Sequence, residues 1–167
     1  MDRLVLTIIC TLLSMCLFVR DAKSQTVVGV KGEIASPAVA GAGRAGFAVM
    51  AGKQMKMALA QADFGYNPSS AHCDLSLLLR TYGNKDHSIN MYLGAGLTGV
   101  VDIDGSSGKT FVAGAFPVIQ AEAFISRRIS LYAEVRMPLL FLEHDIRVGA
   151  RYSLGIRYLL YKEVRDE

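Results

Sequence analysis

The sequence predicts an all-β protein: an eight-stranded antiparallel up-and-down transmembrane β-barrel behind an N-terminal signal peptide. Three observations predict it. The only long apolar run lies at the N-terminus and is too short for a spanning helix, period-two alternation covers most of the remaining chain, and the polar faces mix acids, bases and glycines. The composition agrees, since 51% hydrophobic and 20% charged residues do not describe a disordered tail, and a net charge of +3 without a basic run offers no nucleic-acid footprint.

Met1-Asp2-Arg3 is a short charged start, and Leu4 to Val19 is apolar but shorter than the roughly 18 residues of a spanning helix. Ala22 and Ser24 supply small residues at the positions a signal peptidase reads, so residues 1–24 are expected to be a cleaved signal peptide and residues 25–167 a single barrel domain. An uncleaved anchor is the alternative reading, and either one exports the chain. Cys10 and Cys16 leave with the signal, so Cys73 is the one cysteine of the mature chain and no internal disulfide forms. Cys16 as a lipid-attachment site is disfavoured by Met15 before it.

Strands are expected near 26–34, 45–52, 55–64, 72–82, 88–101, 111–125, 129–140 and 145–161. The first carries Lys31 and Glu33 on one face and runs into a small-residue loop from Ala35 to Arg44. Residues 45–62 are ambiguous, because their Ala, Met, Lys and Gln content suits a helix. A hairpin turning at Gly52-Lys53-Gln54 is preferred, since a lone helix would leave sheet edges bare. Cys73, Leu75, Leu77 and Leu79 then alternate with Asp74, Ser76, Leu78 and Arg80, and after a turn at Gly83-Asn84-Lys85-Asp86, Ile89 to Leu97 alternates with Asn90 to Thr98. Ile119 to Ile125 alternates with Gln120, Glu122 and Phe124, and past a turn at Ser126-Arg127-Arg128, Ile129 to Met137 alternates with Ser130, Tyr132, Glu134 and Arg136. The last strand sets Tyr152, Leu154, Ile156 and Tyr158 against Arg147, Arg151, Ser153, Gly155 and Arg157.

Eight is an even number, as bacterial outer-membrane barrels require, with the turns at 52, 83–86 and 126–128 on the periplasmic side and the connections at 35–44, 65–71, 102–110 and 141–144 on the outer side. A soluble lipocalin-like barrel shows the same alternation with its apolar face inward. The polar faces favour the membrane orientation, because Lys31, Glu33, Lys56, Asp74, Arg80, Glu122, Glu134, Arg136, Arg147, Arg151 and Arg157 are mixed in sign, as charges sharing a narrow lumen must be. Of these, Glu33, Asp74, Arg80, Glu122, Glu134, Arg136, Arg147, Arg151 and Arg157 are expected to form a lumen charge network. With no Trp, the interfacial aromatic girdle falls to residues such as Phe64, Phe111, Phe141, Tyr158 and Tyr161.

The segments SINMYLGAGLTG (88–99), FVAGAFPVIQAEAFISRR (111–128), ISLYAEVRMPLLF (129–141) and VGARYSLGIRYLL (148–160) resemble the C-terminal half of the TraO family of conjugative-transposon transfer proteins. The resemblance implies an exported, outer-membrane-associated protein with other envelope proteins of a conjugative transfer complex as partners. Independently of it, a free-standing small barrel that binds a ligand or stiffens the envelope fits the same strands.

Sharper chemistry finds little footing. Gly41-Ala42-Gly43-Arg44-Ala45-Gly46, with Asp63 beyond it, matches a dinucleotide-binding spacing but lacks the βαβ context. Asp102-Ile103-Asp104-Gly105-Ser106 starts like a calcium loop and lacks the closing Glu. His72, His87 and His144 read as polar residues near strand ends, and His144 with Glu143, Asp145 and the Ser69-Ser70 or Ser106-Ser107 pairs could converge at the outer rim, though no spacing requires it. The expectation is therefore a non-enzymatic outer-membrane protein of a Gram-negative cell, without cofactor, metal or direct nucleic-acid contact, whose principal surroundings are outer-membrane lipid.

Overall fold

The computed structural model describes residues 25–36, 44–84, 88–103, 111–142 and 145–160. The predicted signal peptide, the Gly41–Gly43 stretch, Asp104 to Thr110, His87, Glu143, His144 and Tyr161 lie outside them. The chain forms β1 (Gln25–Ala35), β2 (Ala45–Gln54), β3 (Ala58–Asn67), β4 (Ser70–Gly83), β5 (Ile89–Asp102), β6 (Phe111–Phe124), β7 (Ile129–Arg136), β8 (Leu139–Phe141), β9 (Ile146–Val148) and β10 (Arg151–Leu160). Consecutive strands pair antiparallel from β1 to β7, and β1 closes the sheet on β10 in a register running from Thr26↔Leu160 to Ala35↔Arg151. β7 with β8 forms the seventh crossing and β9 with β10 the eighth, so the fold is a closed eight-stranded up-and-down barrel.

The seventh crossing breaks where Pro138 removes a ladder donor. The wall stays joined there by Met137 N donating to Pro117 O at 3.2 Å and Gly149 N donating to Pro138 O at 3.0 Å. One end of the barrel holds the turns at 55–57 and 125–128, the end of β4 and the start of β5, and both Gln25 and Leu160; we call it the turn end, and the opposite one the loop end.

The ambiguous stretch at 45–62 is a hairpin, but its turn falls at Met55-Lys56-Met57 rather than at Gly52, which pairs with Gln61 inside the ladder. The pair Gln54↔Leu59 encloses four residues where a Gly52-Lys53-Gln54 turn encloses three, and that one extra residue reverses which side chains of the following strand face inward. Leu59, Gln61 and Asp63 consequently point into the barrel, and Lys56, expected on the polar face, is exposed on the turn. The outer connection expected at 65–71 is a two-residue turn, in which Asn67 Oδ1 accepts from the backbone N of Ser69 and Ser70 at 2.9 and 3.0 Å, the Asx geometry that lets Asn replace a backbone acceptor.

Alternation then sorts the side chains. Leu154 (67% exposed), Phe47 (60%), Ile34, Leu93, Ile119 and Val135 are among the apolar residues facing outward. Exposed aromatics gather toward the loop end as Phe47, Phe64, Tyr66, Phe111, Phe141 and Tyr152, with the Phe47 and Tyr66 rings tilted at 51° and 6.1 Å between centroids, while Tyr82 and Tyr158 stand toward the turn end. Inside, Val27, Leu59, Leu78 and Leu159 pack with Tyr92 as an apolar floor near the turn end, and charged and amide side chains fill the levels above it. Small residues make the room this filling needs: a Cβ on Gly155 would stand 2.7 Å from both Lys31 Cβ and Tyr132 Cζ.

Candidate functional site in the barrel lumen

Arg136, projecting inward from β7, is the hub. Its guanidinium contacts the carboxylates of Asp63, Asp74 and Glu134, the last at 2.9 Å, and lies over the Phe116 ring at 4.9 Å. Such a fork satisfies several acceptors in one plane, which a lysine could not do. Asp74 is shared with Arg151 and also accepts from the Thr98 hydroxyl. Lys31 Nζ lies 3.0 Å from Glu134, 3.2 Å from Glu33 and 3.4 Å from Asp63. Toward the loop end, His72 Nε2 stands 3.1 Å from Glu33, and Ser153 Oγ donates to the other Glu33 oxygen at 3.4 Å.

A second group sits nearer the floor. Arg157 pairs with Glu122 at 2.7 Å, donates to Gln61 Oε1 at 3.3 Å and Gln120 Oε1 at 3.2 Å, and covers the Tyr132 ring at 4.5 Å. Glu122 also accepts from Ser130 Oγ at 2.7 Å and Tyr92 OH at 3.0 Å. Gln61 joins the two groups, since its amide nitrogen donates to Asp63 at 3.1 Å and Glu134 at 3.3 Å while its oxygen faces Arg157.

Among the described residues the lumen therefore buries four basic side chains, Lys31, Arg136, Arg151 and Arg157, against five acidic ones, Glu33, Asp63, Asp74, Glu122 and Glu134, with His72 beside them. Glu33, Asp74, Glu122, Glu134, Arg136, Arg151 and Arg157 lie where the alternation puts them. Arg80 and Arg147 do not join the network. Arg80 keeps the lumen parity through its pair with Tyr92, but it stands one inward position beyond Leu78 of the floor, half-buried at the turn-end rim with its guanidinium 3.6 Å from Met57 Sδ. Arg147 belongs to the short β8–β9 hairpin, which stands beyond the last β1–β10 pair, Ala35↔Arg151, and it is exposed.

Sequence reasoning missed Asp63 and Gln61 because the misplaced turn reversed the parity of β3. His72, taken as a polar residue at the end of the expected 72–82 strand, shares the parity of Asp74 and is buried on the lumen face. A Cβ on Gly65, the cross-strand partner of His72, would collide with the imidazole, so the absence of a side chain at Gly65 is what admits the ring. Of the rim residues considered for catalysis, Ser70 Oγ accepts from Asn67 Nδ2 at 2.9 Å and Asp145 caps its own strand through Ile146 N at 2.8 Å. Both serve local turn structure.

An apolar outer wall closed around a packed ionic lumen defines the class: a small eight-stranded barrel of the transmembrane type. No family pattern and no characterised protein sequence matches the chain. Among solved structures it is similar to the N-terminal β-barrel domain of Pseudomonas aeruginosa OprF, at 14% identity and a TM-score of 0.62, covering 82% of this chain and 99% of that one. It is also similar to Neisserial surface protein A, at 15% identity, TM-score 0.55 and coverage of 81% and 96%. A de novo designed transmembrane β-barrel matches equally well in shape, at 14% identity, TM-score 0.55 and coverage of 81% and 95%. These likenesses establish the fold.

Proposed function

We propose that the chain is an exported, non-enzymatic outer-membrane β-barrel that spans the membrane with a filled lumen and serves as a structural or assembly component of a conjugative transfer apparatus. The observation that carries the membrane reading is the division of faces: outward side chains along the middle of every long strand are apolar, and the buried charges lie inside. A contiguous apolar belt of this extent in water would exceed the few hundred Å² that soluble monomers expose. In lipid it needs no cover, and the closure of β1 on β10 removes the free edges of the spanning sheet. The turn end faces the periplasm in this reading, and the loop end, with the long β1–β2 and β5–β6 connections, faces out.

Fractionation with the outer membrane and a heat-modifiable gel mobility are the expected results. Recovery as a soluble periplasmic protein without detergent would overturn the membrane reading in favour of a lipid carrier. The transfer role rests on the TraO resemblance of residues 88–99, 111–128, 129–141 and 148–160. Deletion is expected to lower conjugation frequency while growth and envelope permeability stay near normal, and crosslinking to recover other envelope transfer proteins. Normal transfer in a clean deletion would leave a free-standing barrel.

A further inference from the structure

The methionines of the described barrel differ in what their sulfur meets. Met50 is buried in the same cluster as the floor, Met55 is half-buried on the β2–β3 turn, and Met91 and Met137 are exposed on the apolar outer wall. Met57 is 56% exposed without belonging to that wall. It precedes Leu59 by two residues and so keeps the inward parity, which sets it at the rim of the turn-end mouth, just beyond the inward pair Leu59↔Leu78. Arg80 stands beside it, one inward position beyond Leu78.

Arg80 holds this methionine twice. Its backbone N donates to Met57 O at 2.8 Å, extending the β3–β4 ladder one step past Ala58↔Leu79, and its guanidinium Nη2 donates to Met57 Sδ at 3.6 Å. The first bond fixes the turn, so the second is aimed rather than incidental. A thioether is a weak acceptor, but its sulfur is a nucleophile toward peroxides wherever water reaches it. Beside the contact lies a groove of about 180 Å³ lined by Met57, Arg80, Thr81, Tyr82 and Gly83. Gly83 keeps the approach open, because a Cβ there would stand 3.7 Å from Arg80 Cδ.

We propose that Met57 is an oxidation site for hydroperoxides, with Arg80 as the group that assists the step and receives the sulfoxide. The sulfur lone pair attacks the outer oxygen of the hydroperoxide, an S–O bond forms and the O–O bond breaks. The proton on the transferred oxygen passes to the departing one, so hydrogen peroxide leaves as water and an organic hydroperoxide as its alcohol. Sulfur gives up two electrons and the peroxide takes them. The Arg80 N–H aimed at the sulfur lends a hydrogen bond to the oxygen on which negative charge develops. Afterwards the dipolar S–O group is a stronger acceptor than the thioether it replaces, so the turn is clasped more firmly to β4. Sulfoxide formation disrupts a packed core, but Met57 is exposed and has no core packing to lose. The contrast with Met91 and Met137 rests on the membrane reading above, which surrounds their sulfurs with lipid, where no donor assists the peroxide.

The test uses the full mature chain folded in phosphatidylcholine vesicles, gel mobility confirming the folded state of every variant. Hydrogen peroxide is added, the reaction is stopped at intervals, and peptide mass spectrometry follows the gain of one oxygen at each methionine. Met57 should be oxidised about fivefold or more faster than Met91 and Met137, and unfolding in urea should bring the rates together. Arg80→Leu should slow Met57 about threefold while Met55, on the same turn, keeps its rate, and Arg80→Lys should restore part of the loss. In the oxidised wild type, hydrogen exchange of the Arg80 amide, which donates to Met57 O, should slow. A Met57 rate that holds or rises in Arg80→Leu is the result of exposure alone and overturns the site while leaving the membrane barrel intact. Faster exchange of the Arg80 amide after oxidation overturns the clasp. Equal rates at Met57, Met91 and Met137 in the folded wild type place the outer wall in water and overturn the membrane reading and the selectivity together.

Discussion

Glu134 bridges three lumen side chains: Lys31 at 3.0 Å, Arg136 at 2.9 Å and Gln61 at 3.3 Å. Replacing it with Ala leaves two cations short of their counter-charge where water screens poorly, and should cost about 3 to 5 kcal/mol. The measurement is the urea midpoint of the barrel folded in vesicles, against which a cost below 1 kcal/mol would show a hydrated, yielding lumen. Two arginines on the same crossing provide a sharper contrast. Arg151→Ala removes a partner of buried Asp74 and should lower stability by about 2 kcal/mol or more, whereas Arg147→Ala, on the exposed hairpin, should change it by less than about 0.5 kcal/mol. Gly65→Ala should displace the His72 ring and separate it from Glu33, seen as a shift of the His72 imidazole signals by NMR and a loss of about 1 to 3 kcal/mol.

At the scale of the element, alternation is the rule and turns set its phase. β5, β6 and β7 face as their sequence alternation says, because Gly83-Asn84 and Ser126-Arg127-Arg128 announce their turns by composition and leave the register unambiguous. Alternation carried across a turn at Gly52-Lys53-Gln54 gives β3 reversed faces, because Gly52 and Gln54 look like turn residues yet pair within the ladder, and the one additional residue in the real connection inverts every side chain that follows. Cys73 offers a check on β4. It is exposed on the outer wall opposite Phe64, so in the vesicle-folded barrel a charged maleimide should fail to label it while a lipid-phase reagent reaches it, and unfolding should equalise the two. Prompt labelling by the charged reagent in the folded state would place this part of β4 in water.

For the whole molecule, the consequence of a filled lumen is a closed barrel. Arg136 and Arg157, the largest side chains fully withdrawn from solvent, cross the interior at two levels, and the floor of Val27, Leu59, Leu78 and Leu159 seals the turn end. Planar-bilayer recordings of the pure wild type should show no steady conductance. Large, stable ionic currents would demand an open lumen and move pore activity to the front of the functional reading.

The strand count, the antiparallel order and the assignment of most side chains to wall or lumen were legible in the sequence, since period-two alternation and turn composition are local properties that each segment carries for itself. The partners within the lumen were not. Glu134 meets Lys31 and Gln61, and Arg136 meets Asp63 and Asp74, across strands distant in the chain, and those meetings depend on the stagger with which β1 closes on β10. Likewise Arg147 and Arg151 share a parity and a charge, and only the height at which β1 ends decides that one is buried and the other is not. A closed sheet couples every register to every other, so the identity of an ion pair at its centre belongs to the barrel as a whole and to no segment of it.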